Sequence, residues 1–379
     1  MGKKNFIFSL AGVNQFCRQG GFNLQGLNNM DGNTFRKRLK RVRKGLSRAK
    51  ADYLIVTKPA NVTYVTGFSG DDSWAIISPA SVTLVTDSRY TEQAADESRL
   101  CRIIERKDAM AKTIAGLLRS RQGIRVAVEK STSLADFEDL KRYFPCRPKP
   151  VAGLIESVRR IKDNAEIKAV RAAAEIARRA FEQAIKLIRP GLTENELAGL
   201  IDFQIRKSGG SNSFDTIVAF GANAARPHHQ PTGKKLRRND AVLIDFGARF
   251  NGYCCDLTRC FTVGKTNRLY ARVYAAVERA RDAALKMVRA GVEIRRVDVA
   301  AKEVIKKEGL PVYGHGTGHG LGLEVHELPV VSAKTQGTLQ AGDVITIEPA
   351  VYITGRLGVR LEDDFLVTAD GCFALSRGS

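Results

Sequence analysis

The sequence lacks a Cys-x-x-Cys pair, and its seven cysteines are odd in number and irregularly spaced. These features argue against a disulfide framework and predict a protein of a reducing compartment, which we take to be the cytoplasm. The chain also lacks an apolar run long enough to cross a membrane, so we expect no membrane partner. Aromatic residues make up only 7% of the chain, but apolar residues reach 44%, enough for the core of an ordinary globular protein.

The amino-terminal residues 1–33 contain two lysines followed by a short apolar run from Phe6 to Val13, a pattern that resembles a weak signal peptide. The run is at the short limit for such a peptide, and no small-x-small cleavage site follows it. We therefore predict that residues 1–33 are a poorly structured extension. With 379 residues in total, the chain is long enough for two domains.

A net charge of +21 is the main anomaly of the composition, and much of it lies between residues 36 and 50. Phe35, Leu39, Val42 and Leu46 recur there at helical spacing, which predicts an amphipathic helix with a basic outer face. Such a face suits nucleic acid or an anionic membrane. We favour a solvated surface and expect no nucleic-acid partner, because no aromatic residues interleave with the charges and no helix-turn-helix or zinc-finger pattern follows.

Residues 34–150 alternate between strand-like and helix-like segments, which predicts a smaller α/β domain that ends at a proline-rich break. The strand-like segments are residues 53–57, 74–78, 82–86 and 123–128, and the helical stretches lie near 90–98, 108–121 and 134–143.

Residues 151–379 contain an internal repeat at an offset of about one hundred residues. In each half, an alanine-rich helix and a second helix precede strand-like segments, so we expect an α+β domain with pseudo-twofold symmetry that closes its sheet around a central crevice. The alanine-rich helices are predicted over 166–188 and 269–288, and the strands over 214–220, 241–249, 256–263, 343–353 and 358–368.

Two acidic residues lie on a predicted hairpin in the first half of this repeat. Asn251-Gly252 is the best short-range signal for a type I′ turn, and with that turn Asp245 lies opposite Thr258. Asp256 then falls on the same face as Asp245, as a diagonal neighbour whose β-carbon is about 7–8 Å away. That gap suits carboxylates that share two metal ions about 3.5–4 Å apart.

Two further acids repeat this arrangement in the second half. Glu348 and Glu362 stand at even separation around a glycine-containing turn, so they can share one face of a second hairpin. A buried carboxylate without a partner is very costly, and Arg360 is the chief basic candidate nearby. The four acids together therefore need cations.

All five histidines fall between residues 228 and 326, and His315 and His319 lie in a glycine-rich segment that lets side chains approach a site closely. A set of four acids and one histidine is rich in oxygen, which favours Mn, Co, Fe or Zn over copper. A structural zinc site is excluded, because the sequence has no Cys/His tetrad at ligand spacing.

The same half of the chain carries a series of short motifs in a fixed order: Ser213-Phe-Asp-Thr-Ile-Val-Ala219, Ala225-Arg-Pro-His228, Ile244-Asp-Phe-Gly247, Asp256-Leu-Thr-Arg259, Gly318-His-Gly-Leu-Gly322, Val325-His-Glu327, Ile347-Glu-Pro349 and Val359-Arg-Leu-Glu-Asp363. In these motifs the chain resembles the pita-bread (M24-type) metallopeptidase family, within its Xaa-Pro aminopeptidase and Xaa-Pro dipeptidase (prolidase) branch. Tyr64-Val-Thr-Gly-Phe68 and Thr86-Asp-Ser-Arg-Tyr90 are similar to the family's creatinase-type N-terminal domain.

The resemblance implies a pita-bread (creatinase/aminopeptidase) catalytic domain over residues 151–379, preceded by a creatinase-type domain over residues 34–150. It implies an exopeptidase that hydrolyses the Xaa-Pro bond at the N-terminus of peptides by a metal-bridging hydroxide. The expected substrates are short peptides with proline second, and the expected assembly is a homodimer. The cofactor would be two divalent ions, with manganese as first choice and cobalt, zinc or iron as alternatives.

The resemblance also implies a role for each site residue. Asp245 binds one metal ion, Asp256 and Glu362 bridge both ions, and His319 and Glu348 complete the other. Glu348 takes up the proton of the attacking water, and His326 stabilises the negative charge that develops on the substrate. His228 contacts the substrate near the scissile bond, and His315 and Arg360 belong to the proline-specific part of the site.

Two alternatives remain open at this point. An Xaa-Pro dipeptidase differs from the aminopeptidase in closing its site around the free carboxylate, and the style of the N-terminal domain favours the aminopeptidase. A non-catalytic pita-bread protein that binds protein or RNA is the alternative from another class. Such a protein would be expected to have lost a metal ligand, whereas all five are present here.

Overall fold

The computed structural model describes residues 32–118, 123–144 and 146–376. These residues divide into two compact units between Arg159 and Arg160. Most of the predicted extension, residues 1–31, lies outside the described residues. No helix in the described part of the chain is long and apolar enough to cross a membrane.

The first unit contains one mixed sheet. Its strands in the described residues are β1 (Tyr53–Val56), β2 (Trp74–Ile77), β3 (Val82–Thr86), β4 (Arg102–Glu105), β5 (Val126–Glu129) and β6 (Lys149–Val151). Its helices there are α1 (Gly32–Arg48), α2 (Pro59–Thr66), α3 (Thr91–Glu97), α4 (Met110–Leu118), α5 (Leu134–Tyr143) and α6 (Glu156–Arg159). The strands lie in the order β4-β3-β2-β1-β5-β6, and the last two pairs, β1-β5 and β5-β6, are parallel.

The predicted strands and helices of this unit are present, and β4, β6, α2 and α6 were not predicted. The predicted boundary at residue 150 falls inside β6, where Pro150 pairs with Val128. Since β6 is the edge strand of the sheet, the missing amide of a proline is tolerated there. The proline-rich segment thus ends in a strand, and the chain leaves the unit only after α6.

Helix α1 has the predicted amphipathic character. Phe35, Leu39, Val42 and Leu46 are all buried, and no acidic residue lies in the first turn. Burying each of these side chains contributes about 1.5–3 kcal/mol, which fixes the helix on the core of its own unit. Most of its basic side chains lie on the outer face, but Arg38 is buried, with its guanidinium carbon 4.5 Å from the centre of the Tyr64 ring.

The second unit contains the predicted repeat. Its main helices in the described residues are α7 (Asn164–Ala184), α8 (Glu194–Lys207), α9 (Arg268–Leu285) and α10 (Ile294–Lys307). The strands of its first half are β7 (Ser211–Asn212), β8 (Ile217–Phe220), β9 (Ala241–Phe246), β10 (Ala248–Phe250), β11 (Tyr253–Cys254) and β12 (Leu257–Thr262). Those of its second half are β13 (Gly318–Gly320), β14 (Glu327–Val331), β15 (Val344–Ile347), β16 (Ala350–Ile353), β17 (Leu357–Arg360), β18 (Asp363–Val367) and β19 (Cys372–Ala374).

The two halves of the repeat form equivalent backbone hydrogen bonds. The amide of Gly191, between α7 and α8, donates to the carbonyl of Leu236 at 2.9 Å, and that of Gly291, between α9 and α10, donates to Leu339 at 2.8 Å. Both glycines have positive φ, 95° and 84°, which side chains rarely adopt. Each half therefore uses a glycine turn to tie its helix pair to the segment before its central strands.

Each half also has its own core. Helices α7 and α8 pack on β8 and β9 through one cluster of buried residues, and α9 and α10 pack on β15 to β18 through another. Alanines such as Ala177 and Ala280 are fully buried in these clusters, because their small side chains let a helix lie close to a sheet. The two cores hold in place the strands that carry the acidic residues.

Candidate metal centre

The first acid pair stands on the hairpin that the sequence predicts. Asn251 and Gly252 turn it with φ angles of 49° and 81°, as a type I′ turn requires. Asp245 pairs with Thr258, which confirms the predicted register. The carboxylate oxygens of Asp245 and Asp256 can therefore approach within 4.8 Å of each other.

The second acid pair stands where two short ladders meet. The pairing of Ile347 with Asp363 places Glu348 opposite Glu362, so the second predicted hairpin is also present. An isolated bridge joins Glu362 to Thr258 of the first hairpin. The two halves of the repeat therefore bring their acids to one place.

Potential ligand atoms form three overlapping groups, within each of which all atoms lie within 4.8 Å of one another. All five predicted metal ligands belong to these groups, and His326 joins them as a sixth residue. The groups are Asp245 with Asp256 and Glu362, His319 with Glu348 and Glu362, and Asp256 with His319 and His326.

The acids of this cluster carry charge that the protein alone does not balance. Burial raises the pKa of Asp256 and Glu362 well above the usual carboxyl range, and neighbouring acids raise it further. Burial also raises the pKa of Glu348. The Oδ1 atom of Asp245 is buried and has no hydrogen-bond partner among the described residues. Divalent cations would satisfy all of these groups, so the donor set fits a metal centre.

The ring of His319 is oriented so that its Nε2 can bind a metal ion. Its Nδ1 lies 3.1 Å from the carbonyl of Gly320, which can only accept, so Nδ1 donates there and Nε2 is the nitrogen left to bind a metal ion. That Nε2 faces Asp256 Oδ2 at 3.5 Å and Glu348 Oε1 at 3.6 Å. A metal-ligating histidine usually donates its other ring N–H to a carbonyl or carboxylate, and the Nδ1 contact of His319 fits that arrangement.

The remaining two predicted catalytic histidines lie at the open side of the cluster. His326 is exposed, and its ring centre lies 4.3 Å from that of His319. Burial of its inner part lowers the pKa of His326, and His319 and His228 lower it further. His228 is exposed too, and its charge also lowers the pKa of His315. The side chains of His228, His315 and His326 therefore face the same region of the site.

Arg360 lies inside the cluster rather than at its rim. Its Nη2 donates to Asp245 Oδ2 at 2.6 Å, its Nε to Thr258 Oγ1 at 3.0 Å, and its Nη1 to the Tyr352 hydroxyl at 2.7 Å. Thr258 in turn donates to Glu362 Oε2 at 2.6 Å. Burial opposes the charged form, but Tyr352 and the acids outweigh it and raise the pKa of Arg360. The guanidinium therefore stays charged and links both acid pairs.

His315 continues this network. Its Nδ1 donates to the carbonyl of Gly316 at 2.7 Å, so its Nε2 can accept from the Tyr352 hydroxyl at 3.2 Å. Burial lowers the pKa of His315 to about 4, which keeps the ring neutral at neutral pH. Its Nδ1 also lies 3.8 Å from Glu348 Oε2.

The sequence-based prediction missed the roles of Thr258 and Tyr352. The signal for Tyr352 was available in the strand register, because Tyr352 pairs with Gly358 and is thus a diagonal neighbour of Arg360 on the same face. Asp364 is fully buried and accepts the Asp256 amide at 3.3 Å, so it helps to hold the segment that carries this candidate ligand.

Comparison with known proteins supports the resemblance. Residues 168–369 match the metallopeptidase family M24, and residues 38–161 match the creatinase/prolidase N-terminal domain. An uncharacterized peptidase from Bacillus subtilis is 35% identical over 338 residues, which cover 88% of this chain and 96% of that protein. An Xaa-Pro dipeptidase from Pyrococcus horikoshii is 32% identical over 346 residues, which cover 90% of this chain and 97% of that protein.

Solved structures give the same result. An Xaa-Pro dipeptidase from Bacillus anthracis superimposes with a TM-score of 0.87 at 33% identity, over 91% of this chain and 98% of its own. An X-Pro aminopeptidase from Thermotoga maritima gives 0.80 at 33% identity, over 88% and 97%. The predicted pita-bread fold with a creatinase-type N-terminal domain is confirmed, and the chain belongs to metallopeptidase family M24.

Proposed function

We propose that this enzyme is an exopeptidase that removes the first residue from short peptides with proline second. The observation that supports this proposal is the convergence of four acids and the Nε2 atom of His319 on one small region. Similarity to both Xaa-Pro dipeptidases and X-Pro aminopeptidases supports the Xaa-Pro specificity. The dipeptidase remains the second candidate, because this chain is similar to both kinds of enzyme.

In this proposal two divalent ions occupy the cluster. Asp245 would hold one ion, His319 and Glu348 would hold the other, and Asp256 and Glu362 would be shared between the two. When bound, such a pair of ions makes water acidic enough to supply a nucleophile near neutral pH. The oxygen-rich ligand set favours manganese, with cobalt, zinc or iron as alternatives.

The protein's own groups then handle protons and charge. Glu348 would accept the proton of the attacking water, because its carboxylate lies in the same group of ligand atoms as His319 and Glu362. His326 is neutral at pH 7 but keeps one N–H, which it donates to the substrate oxygen as negative charge develops. His228, exposed and directed at the same region, contacts the substrate near the scissile bond.

The proline subsite is assigned to the network behind the cluster. Arg360 holds Asp245 and Tyr352 together, and Tyr352 orients His315. We propose that His315 and Arg360 shape the pocket that accepts the proline ring and its carbonyl. Neutral His315 suits an apolar ring better than an imidazolium would.

We further propose a homodimer that works in the cytoplasm. The six cysteines in the described residues are all free, which accords with a reducing compartment.

The test uses purified enzyme stripped with a chelator and then given manganese or cobalt. We expect metal-dependent cleavage of Ala-Pro-Ala, with slower cleavage of Ala-Pro; the reverse preference would make it a dipeptidase. Absence of metal-dependent cleavage of either peptide would overturn the peptidase proposal. Asp256→Asn should abolish metal binding and activity together, whereas Asp370→Asn, at an acid in an exposed turn, should change neither.

A further inference from the structure

Two buried carboxylates outside the metal cluster hold the segments that carry the histidines. Glu194 is the first residue of α8, and Asp298 lies in the second turn of α10. Both are 0% exposed, and neither belongs to the groups that can hold a metal ion. They are buried acids that the proposed chemistry does not use.

Glu194 gathers donors from four residues of one loop. Its Oε1 accepts from the amide of Phe220 and the side chain of Asn223, both at 2.8 Å. Its Oε2 accepts from the amide of Thr232 at 3.0 Å, from the hydroxyl of the same residue at 2.6 Å, and from His229 Nε2 at 2.9 Å. Both carboxylate oxygens are thus fully engaged.

The loop held in this way reaches the site. It spans residues 220–232 and contains His228, the proposed substrate contact, and Pro227, whose carbonyl accepts from Arg360 Nη1 at 3.4 Å. Burial works to raise the pKa of Glu194, but the hydrogen bonds from His229 and the loop outweigh it and lower the pKa. Glu194 is therefore ionised when the loop 220–232 is bound to it.

Asp298 does the same for the glycine-rich segment of the second half. Its Oδ1 accepts from the amide and the hydroxyl of Thr317 at 2.9 and 2.7 Å. Its Oδ2 accepts from the amide of Ala333 at 2.9 Å and pairs with Lys302 at 3.1 Å. The carbonyl of Thr317 accepts from the amide of Glu348 at 2.8 Å, so the anchor is one residue away from a proposed ligand.

The two anchors are not copies of one ancestral position. The repeat offset aligns Glu194 with Ile294, one helical turn before Asp298, since the second helices of the two halves start one hundred residues apart. Each half has nevertheless placed one buried acid at the start of its second helix and fastened a different loop to it. This difference in what each acid holds separates their roles.

We propose that Glu194 and Asp298 are positioning residues and that each of them orders a different part of the site. Glu194 sets the loop with His228 and so governs substrate binding, whereas Asp298 sets the segment between His315 and His319 and so governs metal binding. The substrate arm of this proposal rests on the proposed peptidase function. The metal arm has its own readout in metal affinity.

The experiment compares Glu194→Gln and Asp298→Asn with Asp202→Asn in the full chain. Asp202 is a matched control, because it lies on the same helix as Glu194 and holds Asn212 and Thr216, both at 2.6 Å, in a loop without a proposed site residue. Metal affinity is measured by titrating the chelated protein with manganese, and kcat and KM are measured on Ala-Pro-Ala at saturating metal.

We expect Asp298→Asn to weaken manganese binding by about 10–100-fold, as loss of a supporting contact does in metal sites. We expect Glu194→Gln to raise KM by about tenfold while metal affinity stays within about twofold of the parent, since charged hydrogen bonds to the loop are lost. Asp202→Asn should change neither quantity. Thermal unfolding of all three variants measures the common loss of stability.

Equal effects of all three variants on KM and metal affinity would overturn the proposal, because they would show general destabilisation. So would an exchange of the two effects between Glu194 and Asp298. If either acid variant fails to fold, Thr232→Val and Thr317→Val each remove one donor and must shift the same two quantities in the same directions. Absence of cleavage in the parent enzyme would refute the peptidase function, while the manganese titration would still test Asp298.

Discussion

At the scale of single residues, this site is defined by charge that burial leaves unbalanced. Folding forces Asp245, Asp256, Glu348 and Glu362 into one region, and the buried guanidinium of Arg360 pairs with only one of them directly. The negative charge of the other three acids can be neutralised by protonation or by metal binding, and these two processes compete. Both the pH dependence of stability and the role of the arginine follow from this competition.

Stability should therefore depend on pH in a way that identifies the cluster. The pKa values of Asp256, Glu348 and Glu362 are raised, so the metal-free fold keeps protons that the unfolded chain releases above its ordinary carboxyl pKa of about 4. The contribution of these groups to stability is then present at low pH and lost as the pH rises through the raised values. Urea unfolding of chelated protein between pH 4 and 8 measures it.

The control for this experiment is Glu362→Gln, which removes one of the three raised groups. Its stability should fall less steeply over the same pH range than that of the parent. Manganese affinity should rise with pH in the parent, because metal binding displaces the protons. An identical pH slope in parent and variant would contradict the assignment.

Arg360→Lys tests the link between the two acid pairs. Lysine keeps the charge but cannot hold Asp245, Thr258 and Tyr352 at once, because it lacks the planar fork of arginine. We expect kcat to fall by about 10–100-fold with the protein still folded. Arg356→Lys, in the exposed turn of the same hairpin, is the control and should leave kcat unchanged.

At the scale of elements, close backbone approach places the ligands. A Cβ on Gly318 would stand 1.9 Å from the carbonyl of Thr346, on the strand beside β13. Gly318 precedes His319, so any side chain there must push the histidine's strand away from its neighbour. Gly316, Gly318, Gly320 and Gly322 of this segment are therefore needed for the close approach of neighbouring atoms.

Gly318→Ala should therefore cost both stability and metal affinity. We expect the melting temperature to fall by several degrees, since overpacking costs about 1–3 kcal/mol, and manganese binding to weaken at the same time. Gly314→Ala is the matched control in the same segment, because a Cβ there meets nothing within 4 Å. Unchanged metal binding in Gly318→Ala would show that the strand tolerates displacement.

The strand register within a hairpin could be predicted from the sequence, whereas contacts between distant elements could not. The register of the first hairpin was predictable, because Asn251-Gly252 selects a turn that fixes every pair up to Asp245 and Thr258. The contact between Arg360 and Asp245 joins residues 115 apart, so no local pattern contains it. The same holds for Glu194, whose partners follow it by 26 to 38 residues. Local spacing gives faces and registers, and packing decides which faces meet.

At the scale of the whole molecule, the net charge of +21 raises the question of a polyanionic partner. Helix α1 carries the densest part of this charge, and Lys37, Lys40 and Lys44 are exposed on it. Elsewhere in the same unit basic side chains pair with acids, as Arg125 does with Asp52 at 2.9 Å. The helix face is thus the surface on which nucleic-acid binding would depend.

We predict that this face contacts only water and binds no nucleic acid. A variant with Lys37, Lys40 and Lys44 all changed to Gln should keep kcat/KM on Ala-Pro-Ala within about twofold, because these three side chains are exposed and are not among the residues that α1 buries. Both proteins should be retained on immobilised RNA at 50 mM salt and released by about 200 mM, since contacts to phosphate alone weaken steeply with salt. Retention of the parent above that concentration, lost in the triple variant, would instead establish α1 as an RNA-binding surface.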